Sequence, residues 1–140
     1  MTTPKTTTMK QPPPTVEVDV TWSGSLERAL HVVEAIRDTD PGMPMTWAAA
    51  FLTVAKYQEH RKEGLSIKDL ADLIGVSYSS VAELVKKLGP PSYRFSQAAD
   101  LLEIRTDVLD ERRKVLKVSS KGRSLIQRIS LMNTQGKGSD

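Results

Sequence analysis

The fold is decided by one stretch of the chain, residues 66–88, which reads SIKDLADLIGVSYSSVAELVKKL. A helix-turn-helix needs a small residue where its two helices cross, a glycine in the turn, and apolar residues spaced so that both helices share one core. The residues at these positions are, in order, Ala71, Gly75, Val76, Val81 and Leu84. Ser66 and Ser77 precede the two helices as N-caps. The stretch therefore predicts a helix-turn-helix.

The second helix of this motif begins with hydrogen-bonding side chains, Ser77-Tyr78-Ser79-Ser80. A recognition helix enters the major groove of DNA with its N-terminal residues against the base edges. We therefore predict that Tyr78, Ser79 and Ser80 contact DNA, whereas Ser77 is first of all the N-cap. The alternative is that all four residues merely begin a capped surface helix.

Charged residues elsewhere in the motif suit contacts with the DNA backbone. Lys86 and Lys87 lie one to two turns further along the second helix, where they reach phosphates or simply end a solvated helix. Glu83 either accepts a hydrogen bond from a cytosine amino group or repels the backbone. Ser66 and Lys68 begin the first helix, whose free N–H groups suit a phosphate.

A charged segment later in the chain predicts a β-hairpin. Residues 101–106 and 115–118 are β-compatible runs, and residues 107–114 join them. A basic tip beside a helix-turn-helix is suited to lie on the backbone and to insert an arginine into the minor groove. The predicted DNA contacts of the hairpin are Arg105, Arg112, Arg113 and Lys114. Asp107 and Asp110 are predicted to hold the arginine in an extended pose. The alternative is a solvated turn whose acidic and basic side chains pair with one another, and without the neighbouring motif this alternative would be preferred.

This order of elements resembles the winged helix-turn-helix of the multiple-antibiotic-resistance regulator (MarR) family. In that family the hairpin, called the wing, typically reads Asp-x-x-Asp-Arg/Lys-Arg, then alternating apolar residues, Leu-Thr, two residues and Gly. The matching residues here are Asp107, Asp110, Arg112, Val115, Leu116, Val118, Ser119 and Gly122. The resemblance extends over roughly residues 25–132. It implies a dimeric bacterial or phage transcription regulator in which Asp110 pairs with Arg112 and Arg112 contacts the minor groove.

The chain departs from the family pattern at three places. Glu111 stands where the family usually has a basic residue, the connection over residues 89–99 is longer and rich in proline, and the flanking helices are shorter. The resemblance also implies a pocket for a small aromatic inducer near the dimer interface. The aromatic residues that such a pocket would use are Trp22, Trp47, Phe51 and Tyr57, although they suit a core or an interface better than a ligand pocket.

Outside the motif, the sequence predicts a mainly α-helical winged helix-turn-helix domain over residues 16–132. Residues 1–15 form a Thr- and Pro-rich tail and residues 133–140 a polar tail, and both are predicted to be disordered. Residues 16–22 alternate apolar and polar side chains and predict a short strand. Ser23 or Ser25 is the predicted cap of the first helix, Thr46 caps the second, and a last helix runs over residues 120–132.

Length and charge limit the classes of protein that this chain can be. With 140 residues and 15.5 kDa it holds a single domain, which excludes a multidomain enzyme. The net charge is only +3, but residues 16–60 have three basic and seven acidic residues, whereas residues 61–140 have fifteen basic and ten acidic residues. The positive charge therefore lies in the half that contains the motif and the hairpin.

The sequence predicts no enzyme, no metal site and no cofactor. It contains no cysteine, which excludes disulfides and thiolate chemistry. His31 and His60 lack acidic partners at metal-ligand spacing, and Asp69 and Asp72 lie on a helix surface. The sequence shows neither a membrane span nor a signal peptide, so we expect a cytoplasmic protein.

These observations together predict a sequence-specific regulator that binds double-stranded DNA as a homodimer on a pseudo-palindrome and acts as a repressor. The alternative is a winged-helix module that binds a polymerase or another regulator, and the acidic first half of the chain favours that alternative.

Overall fold

The computed structural model describes residues 16–107 and 109–138, which form five helices and a three-stranded sheet. The helices are α1 (Val16–Thr39), α2 (Met45–Gln58), α3 (Ile67–Ile74), α4 (Tyr78–Leu88) and α5 (Ser120–Gly138). The strands are β1 (Leu65–Ser66), β2 (Leu102–Thr106) and β3 (Lys114–Val118). The predicted fold class, mainly α with a small β-hairpin, is confirmed. The predicted tail at residues 1–15 lies outside the described residues.

The helix-turn-helix forms where the sequence places it, through its predicted caps. The Ser66 hydroxyl accepts the backbone N–H of Asp69 at 3.0 Å, and the Ser77 hydroxyl accepts that of Ser80 at 3.1 Å. Gly75 ends α3 with φ of 74°, a left-handed conformation that glycine adopts at little cost. Both helices of the motif therefore begin, and α3 ends, as their local chemistry requires.

The hairpin pairs β2 and β3 in register from Leu102 opposite Val118 to Thr106 opposite Lys114. β1 adds a third antiparallel strand on the other edge of β3, so the order is β1-β3-β2. β1 was not predicted, because two residues are too few to show an alternating pattern. It ties the start of α3 directly to the hairpin.

The hydrophobic core lies between the sheet and the surrounding helices. Phe51, Leu88, Leu101 and Leu116 are fully buried there, and burying a side chain of this size contributes roughly 1.5–3 kcal/mol. Gly122 lies in the same core: a Cβ atom at this position would collide with the backbone oxygen of Leu101. The first turn of α5 therefore approaches the sheet closely because residue 122 has no side chain.

The predicted strand at residues 16–22 is wrong, because these residues form the first turns of α1. Neither Ser23 nor Ser25 begins a helix, since both lie within α1. A strand needs a paired neighbour, whereas a helix satisfies its own backbone groups. α1 packs against α5, where His31 Nε2 lies 3.3 Å from the Arg128 oxygen and Arg128 pairs with Asp38 at 2.6 Å. This packing stabilises α1, and residues 16–22 extend that helix although alternating valines favour a strand.

Two further boundaries differ from the sequence prediction. α5 continues to Gly138, where the sequence predicted a disordered tail from residue 133. Adding residues to an existing helix costs little compared with starting one, so the helix continues beyond its apolar stripe. α2 begins at Met45 with Pro44 as its N-cap, and Thr46 is not the cap. Proline supplies the required φ of −63° without a side-chain hydrogen bond.

Candidate nucleic-acid interface

The start of α4 presents a small network of hydroxyl groups. Ser77 donates to the Ser80 hydroxyl at 2.9 Å and lies 3.3 Å from the Ser79 hydroxyl. All three side chains are exposed. A hydroxyl has one donor and two acceptor sites, so these serines retain hydrogen-bonding capacity toward a ligand while the network fixes their positions. Tyr78 is 59% exposed beside them.

The two sides of α4 have opposite character. Val81, Leu84, Val85 and Leu88 are buried. The exposed residues are Tyr78, Ser79, Ser80, Glu83, Lys86 and Lys87. With 3.6 residues per turn, Tyr78 and Lys87 are about two and a half turns apart and so lie on opposite flanks of the exposed face. This face is thus bordered by an aromatic residue on one flank and by a cation on the other.

A cleft of about 400 Å³ brings together the starts of α3 and α4 and the tip of the hairpin. The residues that line it are Ser66, Ile67, Lys68, Asp69, Tyr78, Asp110, Arg112, Arg113 and Lys114. Six of these are DNA contacts predicted from the sequence, and they come from three separate elements. The fold therefore assembles one surface rich in cations and hydroxyl groups from residues that are distant in sequence.

Arg112 is the most available cation of this cleft. Its side chain is 94% exposed, and its Nε lies 3.6 Å from Asp110 Oδ1. Asp110 Oδ1 also accepts the backbone N–H of Arg112 at 3.1 Å, while its backbone oxygen accepts that of Arg113 at 2.9 Å. Asp110 therefore shapes the turn from which Arg112 projects, and the loose ion pair leaves the guanidinium free to bind an anion.

Arg113 is held within the protein instead. Its guanidinium lies 3.2 Å from Asp107 and 3.7 Å from Asp69, and Arg61 approaches the same Asp69 carboxylate at 3.3 Å. The Asp107 side chain is only 14% exposed, and its second oxygen accepts the N–H of Leu109 at 2.9 Å. Arg113 therefore joins the hairpin tip to the first turn of α3, although the sequence predicted it as a DNA contact.

The remaining cations of the interface make weak contacts. Lys68 pairs with Asp72 at 3.6 Å and Lys86 with Glu83 at 3.9 Å, and all four side chains are more than half exposed. Exposed pairs of this kind contribute roughly 0.2–1 kcal/mol, so a phosphate would displace them readily. Lys114 donates to the Thr106 hydroxyl at 3.2 Å and keeps its charge at the edge of the cleft.

Arg105 does not join this surface. It makes hydrogen bonds to Glu103 at 2.7 and 3.0 Å and lines a different depression, with Ser119, Ser120 and Lys121. Side chains alternate between the two sides of a strand, and the side taken by Arg105 is set by the register of β2. The sequence placed Arg105 in the hairpin without fixing this register.

Arg61 and Asp69 are the structural residues of the interface that sequence reasoning missed. Sequence reasoning placed Asp69 only on a helix surface and assigned no role to Arg61. Their ion pair with Arg113 joins three elements that the sequence separates widely. Helical spacing does not predict such a pair, and only the packing of the hairpin on α3 reveals it.

The described residues bring no three His, Cys, Asp or Glu side chains together as a metal site. In the same part of the chain, no helix combines the length and the apolar character that crossing a membrane requires. The aromatic residues do not share one pocket either: Phe51 is fully buried in the core, whereas Trp22 is 61% exposed on α1.

Comparison with solved structures identifies the fold. A mutant of S. aureus MepR bound to an oligodeoxyribonucleotide has a TM-score of 0.64 at 15% identity, over 90% of this chain and 82% of that one. RV1404 from Mycobacterium tuberculosis gives 0.62 at 15% identity, over 93% and 82%. The transcriptional regulator Tm0710 from Thermotoga maritima gives 0.58 at 20% identity, over 86% and 75%. No protein-family model and no curated protein sequence matches the chain.

The chain has a winged helix-turn-helix fold. These three neighbours are winged-helix regulators of the MarR family, so the fold that the family resemblance implied is confirmed. α4 has the position of the recognition helix in this fold, and the β2–β3 hairpin has that of the wing; we call them the recognition helix and the wing. The cleft described above lies between the recognition helix and the wing, and the resemblance in fold extends over most of both chains.

Proposed function

We propose that this protein is a transcription regulator that binds double-stranded DNA through the cleft between α3, the recognition helix and the wing. The observation that carries the proposal is the convergence of Lys68, Tyr78 and Arg112 on this single cleft. Cations that neutralise phosphates supply most of the affinity for DNA, and hydrogen-bonding groups at the base edges supply the specificity. The MepR neighbour is itself bound to an oligodeoxyribonucleotide.

Each part of the cleft has a distinct role in this proposal. The start of the recognition helix enters the major groove, where Tyr78, Ser79 and Ser80 contact base edges. The wing lies along the backbone and directs Arg112 into the minor groove, whose negative potential attracts arginine. Because the ion pair between Arg112 and Asp110 is long and exposed, breaking it costs little when DNA replaces the carboxylate.

The protein acts as a homodimer in this proposal. α1 exposes Trp22, Leu26, Leu30 and Val33, which are 47–63% accessible and recur at helical spacing. Leu131 on α5, which packs against α1, is 61% exposed. Covering this apolar stripe with a second copy would bury it and would place two recognition helices on half-sites about one turn of DNA apart.

Repression follows from this arrangement because a dimer bound over a promoter excludes other proteins from it. Such a regulator acts where the genome is, in the cytoplasm of a bacterium or of a phage-infected host. From the family resemblance we also propose that a small aromatic molecule is the inducer.

The proposal is tested by measuring the binding of a fluorescent duplex from the region upstream of the protein's own gene. The dissociation constant should rise steeply with salt concentration. Arg112→Ala should weaken binding on the order of tenfold, because it removes a charge-assisted contact. Arg123→Ala, which removes an exposed arginine from α5, should leave binding unchanged. If affinity does not depend on salt, or if both variants behave alike, the proposed interface is wrong.

A further inference from the structure

The connection between the recognition helix and the wing is a closed loop attached to the end of α4. It leaves the helix at Gly89 and returns to it at Asp100, whose N–H donates to the Gly89 oxygen at 2.9 Å. The N–H groups of Ala99 and Leu101 donate to the oxygens of Lys87 and Leu88 at 2.8 and 2.7 Å. Residues 90–98 thus form a loop whose two ends lie next to each other, as in an Ω-loop. We call residues 90–98 the α4 loop.

The α4 loop is internally ordered. Ser92 donates its N–H to the Phe95 oxygen, and its hydroxyl accepts the Phe95 N–H, both at 3.2 Å. Ala98 donates to the same Phe95 oxygen at 3.1 Å. Two successive prolines at the start of the loop restrict its backbone further. A loop that is already ordered loses little conformational entropy when it binds a partner.

The apex of the α4 loop presents an aromatic residue and a cation to the solvent. Tyr93 is fully exposed and Arg94 is exposed. The loop contains no acidic residue, so the charge at its apex is purely positive. A polyanion is the partner that this charge suits.

Arg94 lies on the flank of the recognition helix that faces away from the wing. Arg94 and Lys87 line the same cavity of about 270 Å³, together with Trp47, Phe95 and Asp40. The Lys87 ammonium group lies 5.5 Å from the centre of the Trp47 ring, a cation–π contact that fixes its position.

A second cleft lies between this cavity and the exposed face of the recognition helix, and Trp47 and Lys87 line both the cleft and the cavity. The cleft measures about 410 Å³, and its lining residues include Ser79, Ser80, Glu83 and Lys87. Tyr78 borders the wing cleft and Lys87 borders the α4 loop, and these two residues lie on opposite flanks of α4. The wing and the α4 loop therefore flank the recognition helix on its two sides.

We propose that Lys87 and Arg94 form a second binding site for the DNA backbone, opposite the wing. This inference rests on the proposed function. A helix in the major groove, which is about 12 Å wide, has a phosphate strand on each side. The wing cleft supplies cations to one strand, and the pair of Lys87 with Arg94 supplies them to the other. Asp40 also lines this cavity and Glu83 lines the adjoining cleft, and their negative charges reduce the attraction of the two cations for a phosphate.

The experiment compares Arg94→Ala, Lys87→Ala and the control Arg123→Ala on the same fluorescent duplex over a series of salt concentrations. Each substitution in the site should weaken binding by roughly three- to tenfold and reduce the slope of log K against log salt by about 1. Arg94→Lys should retain much of the affinity, because a phosphate accepts either cation. Ethylation of phosphates on the flank opposite the wing should interfere with binding of the wild-type protein but not of Arg94→Ala.

The result that overturns the inference is wild-type affinity and salt slope for Arg94→Ala together with weakened binding for Arg112→Ala. That combination would keep DNA binding through the wing cleft and remove the α4 loop from it. If the wild-type chain itself does not bind the duplex, the proposed function fails first. Thermal unfolding of Arg94→Ala should match that of the wild type, since the side chain is exposed on a loop.

Discussion

Replacing Arg113 with alanine should loosen the wing without removing the cation that reaches DNA. The Arg113 guanidinium joins Asp107, at the base of the wing tip, to Asp69, in the first turn of α3. Arg113→Ala leaves Asp69 with Arg61 but leaves the Asp107 carboxylate without a cation. Because Asp107 is only 14% exposed, water compensates this carboxylate poorly. The wing should therefore lose its attachment to the helix-turn-helix.

The size of the effect follows from the exposure of each pair. In the pair with Asp69, the two side chains are 44% and 39% exposed and the distance is 3.7 Å, so it contributes about 0.5 kcal/mol. The pair with Asp107 is shorter and more buried, so it contributes about 1 kcal/mol to the unfolding free energy. The total loss of unfolding free energy is then about 1.5 kcal/mol. At about 4 °C per kcal/mol for a domain of this size, Tm should fall by about 6 °C.

Thermal unfolding followed by circular dichroism measures this loss, and Arg112→Ala is the matched control. Arg112 is 94% exposed, so its removal should change the unfolding free energy by less than about 0.5 kcal/mol. A double-mutant cycle with Asp107→Asn should give a coupling energy of about 1 kcal/mol. Equal losses of stability in the two arginine variants, or a coupling energy of zero, would refute the assignment of Arg113 to wing support.

Two further substitutions test the packing and the assembly of the fold. Gly122→Ala should lower the unfolding free energy by roughly 1–3 kcal/mol, because its new methyl group meets the backbone oxygen of Leu101. Gly42→Ala is the control and should be close to neutral, because its methyl group meets nothing within 4 Å. Similar melting temperatures for the two variants would contradict the close approach of α5 to Leu101. Leu30→Asp should convert the proposed dimer into a monomer, as measured by light scattering. Leu73→Asp, which replaces an exposed leucine of α3, is the control and should leave the mass unchanged. A mass unaffected by Leu30→Asp would exclude α1 from the interface.

The sequence predicted those parts of the fold that depend on local chemistry. Ser66, Ser77 and Gly75 mark helix ends through backbone groups only a few residues away, and the structure reproduces all three. The first turns of α1 were assigned to the wrong structure because they extend a helix that packs against α5, at the other end of the chain. Local patterns carry no information about such a partner, so tertiary contacts decide.

The difference between local chemistry and tertiary contacts also applies to the cations of the wing tip. The sequence places them in the hairpin, but it does not predict which way each side chain points. The wing tip contains Arg112, Arg113 and Lys114 in succession, and the sequence treats them alike. In the structure Arg112 points into solvent, Arg113 pairs with two carboxylates, and Lys114 lies at the edge of the cleft. Arg113 differs from Arg112 in its pairs with Asp107, within the hairpin, and with Asp69, which the folding of β1 and α3 against the hairpin brings near.

The acidic residues of the wing therefore do more than reduce its net charge. Asp107 holds Arg113 and the turn at Leu109, and Asp110 shapes the backbone from which Arg112 projects. A wing with the same basic residues and no acidic ones would attract DNA from further away, but its arginines would lack a fixed direction. Because ordered side chains lose less entropy on binding, placing a few cations precisely in this way compensates for a total charge of only +3.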